Sequence, residues 1–144
     1  DWPIIVMLAA MIPIGTALQT TGVSTLIATS ISTYASDLSL FWILLIILIV
    51  TMATTDIINN AATAVIMAPI STGIAVELGY AIEPFLMVVA VGASCAFLTP
   101  IGHQCNTVVM GPGNYKFTDY WRMGLPMDVL IVLASIPMIL FVWT

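Results

Sequence analysis

Five stretches of this chain, residues 2–36, 38–55, 57–76, 84–115 and 129–144, contain no Asp, Glu, Lys or Arg. A bilayer core takes roughly 20 apolar residues per helical span, so about four or five crossings or half-crossings fit. With 61% hydrophobic and 6% charged residues, the chain has too few charges to cover a water-facing surface. The expected class is an all-α integral membrane protein. The sequence opens on Asp1 and enters an apolar run at once, without a basic segment or a small-residue cleavage site before it. A piece of a longer protein is therefore expected.

The two basic residues, Lys116 and Arg122, lie in one connector, which the positive-inside rule makes cytoplasmic. The net charge of −5 says little about partners, and no basic surface for nucleic acid is present. Neither a nucleophile–base arrangement nor a phosphate-cradling glycine loop occurs, so an enzyme is not expected. Cys95 and Cys105, ten residues apart in or beside apolar segments, read as packed thiols.

Residues Trp2–Leu18 form a first apolar segment, with Pro13 and Gly15 placed to kink it, and Gln19-Thr20-Thr21-Gly22 is a stop signal. Val23–Tyr34 mixes Ser and Thr with Leu and Ile and suggests a short interfacial or irregular helix. Ser36-Asp37-Leu38-Ser39 offers N-cap residues for an apolar helix over Leu40–Thr55. A second helix is expected over Ala61–Val76, where Ala64 and Ala68 have the small-xxx-small spacing that lets helices approach closely in lipid. Further helices are expected over Pro84–Leu98 and Leu125–Trp143, with Tyr115, Tyr120 and Trp121 as interfacial anchors.

Two interruptions carry the polar groups. At the first, Asp56, Asn59 and Asn60 sit between apolar runs, and the free N–H groups of the following helix would face whatever occupies the break. At the second, Thr99-Pro100-Ile101-Gly102-His103-Gln104-Cys105-Asn106 ends regular helix. Lipid cannot satisfy such groups, so they must face protein or a wet cavity. If the acidic loop Glu77–Glu83 and Ser36–Ser39 share the outer side, residues 40–76 form a re-entrant hairpin with Asn59 and Asn60 near its tip; the length also allows two full spans. Secondary transporters build midplane sites from paired discontinuous helices of this kind.

The motifs N-N-A-A-T-A-V-I-M-A-P-I (Asn59–Ile70) and T-P-I-G-H-Q-C-N-T-V-V-M-G-P-G-N-Y-K-F (Thr99–Phe117) resemble the second half of the divalent anion:sodium symporter family, and nearly the whole chain takes part. The P-I-G-x-Q-x-N-x-x-V-x-G-P-G-x-Y form is similar to the bacterial and algal branch usually assigned to sulfate. The resemblance implies one inverted-repeat half of a secondary transporter, a single transmembrane domain over 1–144. Its parts would be a re-entrant hairpin over about 40–76, a discontinuous transmembrane helix over about 84–110 and a last span over about 125–143. Family members carry a Ser-Asn-Thr hairpin tip. Asn60 matches its Asn, while Asn59 and Ala61 replace its Ser and Thr.

Carried over in this way, the substrate residues are Asn59, Asn60, Ala61, Thr99 and Pro100. The sodium residues are Asn60, Thr63, Thr99, Gly102 and Asn106. The implied partners are Na+ as coupling ion, a small inorganic or dicarboxylate anion, the lipid bilayer, a first half of the same permease and a second copy in a homodimer, in a bacterial inner membrane. The ligand reading of Asn59 and Asn60 competes with helix capping and is preferred because two breaks coincide. Asp56 reads first as structural, capping the next helix or pairing outside this chain, and His103 as a hydrogen-bonding loop residue. Alternatives for the whole are an arsenite or proton-exchanging permease, a dicarboxylate symporter, or a membrane module without transport.

Overall fold

A computed structural model describes residues 38–143 without interruption, together with residues 2, 5, 6, 9, 10, 13, 16, 17, 20–23, 25–27, 29 and 30. Among the described residues every regular element is a helix. The labelled helices are α1 (Leu40–Thr55), α2 (Asn60–Leu78), α3 (Glu83–Ala93), α4 (Gln104–Met110) and α5 (Phe117–Trp143). A turn at Thr21-Gly22 falls within the expected stop signal. The kink assigned to Pro13 and Gly15 and the capping pair Ser36-Asp37 lie wholly or partly outside the described residues.

The helix ends follow from local chemistry. Ser39 takes the extended N-cap conformation of α1 without a side-chain capping bond. Beyond Thr55 the chain closes a tight turn, with the Ile57 and Ile58 amides donating to the Thr54 carbonyl at 3.1 and 2.9 Å. Asn59 then caps α2, its Oδ1 accepting from the Ala62 amide at 2.8 Å. Residues 43–50 of α1 face residues 67–74 of α2 across an apolar cavity of about 150 Å³, so the two helices form a hairpin.

Two expected boundaries are displaced. The helix from Pro84 was expected to reach Leu98, but α3 stops at Ala93 and residues 94–103 carry no helix. Its last carbonyls are taken by side chains instead: Ser94 Oγ donates to the Ala90 carbonyl at 2.9 Å and Cys95 Sγ to that of Val91 at 3.1 Å. At the other end, α5 begins eight residues before Leu125, because the Lys116 amide donates to Asp119 Oδ2 at 2.8 Å and so caps the aromatic connector into the helix. Cys105 also departs from expectation, being exposed while Cys95 is buried.

Short α3 is the centre of the packing, touching α1, α2 and α5. Phe85 and Val88 are fully buried against a cluster that includes Leu44 and Leu48 of α1, Ile74 of α2 and Ile136 of α5. Helices in lipid gain little from the hydrophobic effect and associate through close packing and hydrogen bonds. One such bond joins Ser71 Oγ of α2 to the Phe85 carbonyl at 3.1 Å. Leu130, Leu133, Met138 and Phe141 of α5 are exposed, as lipid-facing side chains should be. By length and composition α2 and α5 are long and apolar enough to cross a bilayer, whereas α1 and α3 are shorter.

Candidate functional site

The two interruptions meet. A Cβ built on Gly102 in the second would lie 2.5 Å from the Thr55 carbonyl oxygen, 2.7 Å from Ala96 Cβ and 3.1 Å from Asp56 Cα, so only glycine lets the segments touch at this point. Asn60 is the bridge. With its amide oriented to satisfy every neighbour, Nδ2 faces Thr55 Oγ1 at 2.9 Å, the Ala93 carbonyl at 3.2 Å and the Gly102 carbonyl at 3.3 Å. Thr55 Oγ1 in turn donates to the Ala93 carbonyl at 2.9 Å. In this orientation Asn60 Oδ1 is left free of these break oxygens.

Asp56 does not cap α2, contrary to one of the two structural roles expected of it. Its Oδ1 accepts from the Leu98 amide at 3.0 Å, and its backbone carbonyl accepts from Thr99 Oγ1 at 2.6 Å. The same Thr99 hydroxyl accepts from the amides of Ile101 and Gly102, each at 3.3 Å, and so folds the second break into a turn. Carbonyls that end up inside an apolar protein need donors, and here polar side chains supply them.

Asn106 on α4 closes the other side. Its Nδ2 donates to the carbonyls of Ala96 (2.8 Å) and Thr99 (3.2 Å), while Thr107 Oγ1 donates to that of Pro100 at 2.6 Å. Tyr120 of α5 donates its hydroxyl to the Asn106 carbonyl at 2.7 Å, tying the connector to the break. Tyr120→Phe should lower stability by about 0.5–1.5 kcal/mol, the usual net worth of one such bond, and a thermal melt of the purified protein checks this.

Between the breaks lies an open cleft of about 180 Å³, lined by Asn59, Asn60, Ala61, Gly102, His103 and Gln104. The N-terminus of α2 borders it, an arrangement that favours negative charge. Of the residues expected at the substrate, Asn59, Asn60 and Ala61 line this cleft, whereas Thr99 and Pro100 do not. Asn59 Oδ1 is engaged in capping, which leaves its NH₂ group to face a ligand. Of the residues expected at sodium, Asn60 and Gly102 line the cleft, and Thr63 and Asn106 lie outside its lining.

Thr63 is buried, and its Oγ1 has no hydrogen-bond partner among the described residues. The Thr99, Pro100 and Gly102 carbonyls each take one protein donor, and a carbonyl oxygen has a second lone pair. His103 is the N-cap of α4, with Nδ1 accepting from the Cys105 amide at 3.2 Å, in keeping with a loop-filling role. Four contributors were missed in the sequence: Thr55, Thr107, Tyr120 and the Leu98 amide. The three hydroxyls donate to backbone carbonyls and the Leu98 amide donates to Asp56, pairings that composition does not reveal; the sequence marks Tyr120 only as an interfacial anchor.

Residues 1–92 match the protein-family model described as citrate transporter (CitMHS). The chain belongs to the citrate transporter family. Relatives of this citrate transporter family chain carry compatible names. An uncharacterized transporter of Synechocystis sp. is 38% identical over 142 residues, covering 99% of this chain and 23% of that protein. Sodium/sulfate cotransporter 2 of Chlamydomonas reinhardtii is 27% identical over 135 residues, covering 93% and 15%. Sodium-dependent high-affinity dicarboxylate transporter 3 of Caenorhabditis elegans is 26% identical over 133 residues, covering 91% and 23%. The chain thus spans less than a quarter of the length of these relatives. The names of the latter two agree with the divalent anion:sodium symporter resemblance of the two motifs, and all three names describe transporters rather than enzymes.

Proposed function

We propose that residues 1–144 belong to the C-terminal half of a sodium-coupled symporter for divalent anions, with sulfate as the substrate, working in a bacterial inner membrane as a homodimer. One observation carries this reading: the Asn60 amide ties both interruptions together beside a cleft bordered by the start of α2. The short central helix supports it. Eleven residues of α3 rise roughly 16 Å, about half of a hydrocarbon core of roughly 30 Å, so a helix entering from one face brings the 94–103 segment to mid-depth. On this reading α1 and α2 are the re-entrant hairpin and α3 with α4 the discontinuous helix, over the same 40–76 and 84–110 limits.

Asn59 and Ala61 with the α2 N-terminus meet the anion, and Asn60 Oδ1 with the Gly102 and Thr99 carbonyls and Thr63 meets sodium. Energetics requires the coupling. Moving a dianion into a cell against an inside-negative potential costs about 2.3 kcal/mol per charge per 100 mV, hence roughly 4.6 kcal/mol before any concentration gradient. Co-transported cations in excess of the anion's charge reverse that sign. The relatives named for sodium/sulfate and sodium-dependent dicarboxylate transport support a sodium-coupled anion carrier.

The test is uptake of radiolabelled sulfate by proteoliposomes of the full-length permease. Uptake should require an inward sodium gradient. Uptake that follows pH and ignores sodium would favour a proton-exchanging permease, and no flux at all would leave a membrane module without transport. Substrate choice has its own probe. Ala61→Thr adds a hydroxyl to the cleft wall and should shift preference toward dicarboxylates in competition assays; an unaltered selectivity profile would remove Ala61 from the anion contact.

A further inference from the structure

Away from the breaks, α5 carries one acidic residue inside its apolar length. Asp128 Oδ1 is buried and has no hydrogen-bond partner among the described residues. Asp128 lines a cleft of about 330 Å³ together with Ile49 and Met52 of α1, Leu98 of the second break, and Val129, Val132 and Leu133 of α5. Every lining side chain but that of Asp128 is apolar. The walls are fixed in place. α1 and α5 touch directly, and one turn before Asp128 a Cβ on Gly124 would come within 2.4 Å of the Phe97 carbonyl oxygen, so α5 lies hard against the second break.

Tyr120, Trp121 and the exposed Arg122 mark the headgroup level on this helix. Asp128 lies about 10 Å beyond Trp121 along the axis, at roughly 1.5 Å per residue, which is too deep for a short carboxylate to reach the headgroups. A carboxylate at that depth faces a partner rather than lipid. Water does not suit the site, because a buried water takes about three polar partners and this lining offers one polar side chain. A hard metal cation takes about six oxygens and fares worse. A basic side chain fits both features, its apolar stem lying along the groove walls and its charge on Asp128.

The chain does not supply that charge itself. Its Lys and Arg residues are Lys116 and Arg122, both exposed in the connector, and His103 lines the other cleft. A second copy lying the same way in the bilayer holds its own Lys116 and Arg122 at the connector level, not at that of Asp128. The chain spans 23% of the length of its Synechocystis relative, which leaves most of such a protein to provide the missing cation.

We propose that the groove between α1 and α5 seats a transmembrane helix from outside residues 1–144 of the same polypeptide, and that a Lys or Arg of this helix pairs with Asp128. The proposal rests on the reading of the chain as part of a longer permease, and it is independent of the substrate and the coupling ion.

Photo-crosslinking of the full-length permease in its native membrane tests the seating without altering Asp128. Benzoylphenylalanine replaces Leu133, an exposed residue of the groove. Illumination should join position 133, within a single polypeptide, to an apolar segment outside residues 1–144 that contains Lys or Arg. Attachment to lipid alone, to a second copy, or to a segment without a basic residue overturns the proposal.

Melting of the purified full-length permease tests the pairing. Asp128→Asn, or replacement of the crosslinked segment's Lys or Arg by Gln, should lower the melting temperature, since each leaves one charge alone in an apolar setting; neutralising both should restore most of the loss. Single variants as stable as the wild type, or losses that merely add, overturn the pair. Where a single variant does not fold, recovery of folded protein in the double variant supports the pair and continued failure counts against it. Neither measurement involves transport. Absence of sodium-driven sulfate uptake would sink the symporter reading and leave this one standing, whereas attachment to lipid alone would do the reverse.

Discussion

Gly102→Ala should stop transport and cost about 1–3 kcal/mol of stability, the range for forcing extra atoms into a filled interior. The added methyl would meet the Thr55 carbonyl at 2.5 Å and Asp56 Cα at 3.1 Å, and these are backbone atoms that no rotamer change moves aside. Relief requires the two interruptions to separate, and with them the walls of the cleft. Gly111→Ala is the matched control, because a Cβ there has nothing within 4 Å. Equal melting temperatures and equal uptake in the two variants would show that the contact at Gly102 is dispensable.

Asn60→Ala should raise the sodium concentration needed for half-maximal uptake by roughly tenfold or more, the equivalent of losing about 1.4 kcal/mol of binding. It should also destabilise the fold. The amide faces Thr55 Oγ1 and the Ala93 and Gly102 carbonyls, and a buried polar group left without its partner costs about 1–3 kcal/mol. Asn60→Asp separates the two effects: it keeps an oxygen for sodium but loses the NH₂ that bridges the breaks. Stability should fall in both variants, with sodium affinity better preserved in Asp. An Asn60→Ala protein that melts and binds sodium like the wild type would remove Asn60 from the centre of the site.

The sequence reveals the presence of both interruptions and little of their internal wiring. Asp56, Asn59 and Asn60 stand out because lipid leaves them no partners, and this holds whichever groups they eventually find. Helix limits are less legible where a side chain competes with the backbone. Nothing in the composition of Pro84–Leu98 distinguishes a helix ending at Leu98 from one ending at Ala93, where Ser94 and Cys95 bond back to the preceding turn. The long reach of Asp56 to Leu98 and of Tyr120 to Asn106 depends on tertiary placement, so no local pattern announces it. Asn59 illustrates the reverse case: capping and ligand contact compete in the sequence, and its two amide atoms allow one for each.

The contrast between the two thiols has a practical consequence. Cys95 is shielded within the second interruption, while Cys105 is exposed on the first turn of α4, next to the cleft residues His103 and Gln104. Of these two thiols, a maleimide dye would therefore attach to Cys105. Its emission would report rearrangement of the nearby mouth in real time.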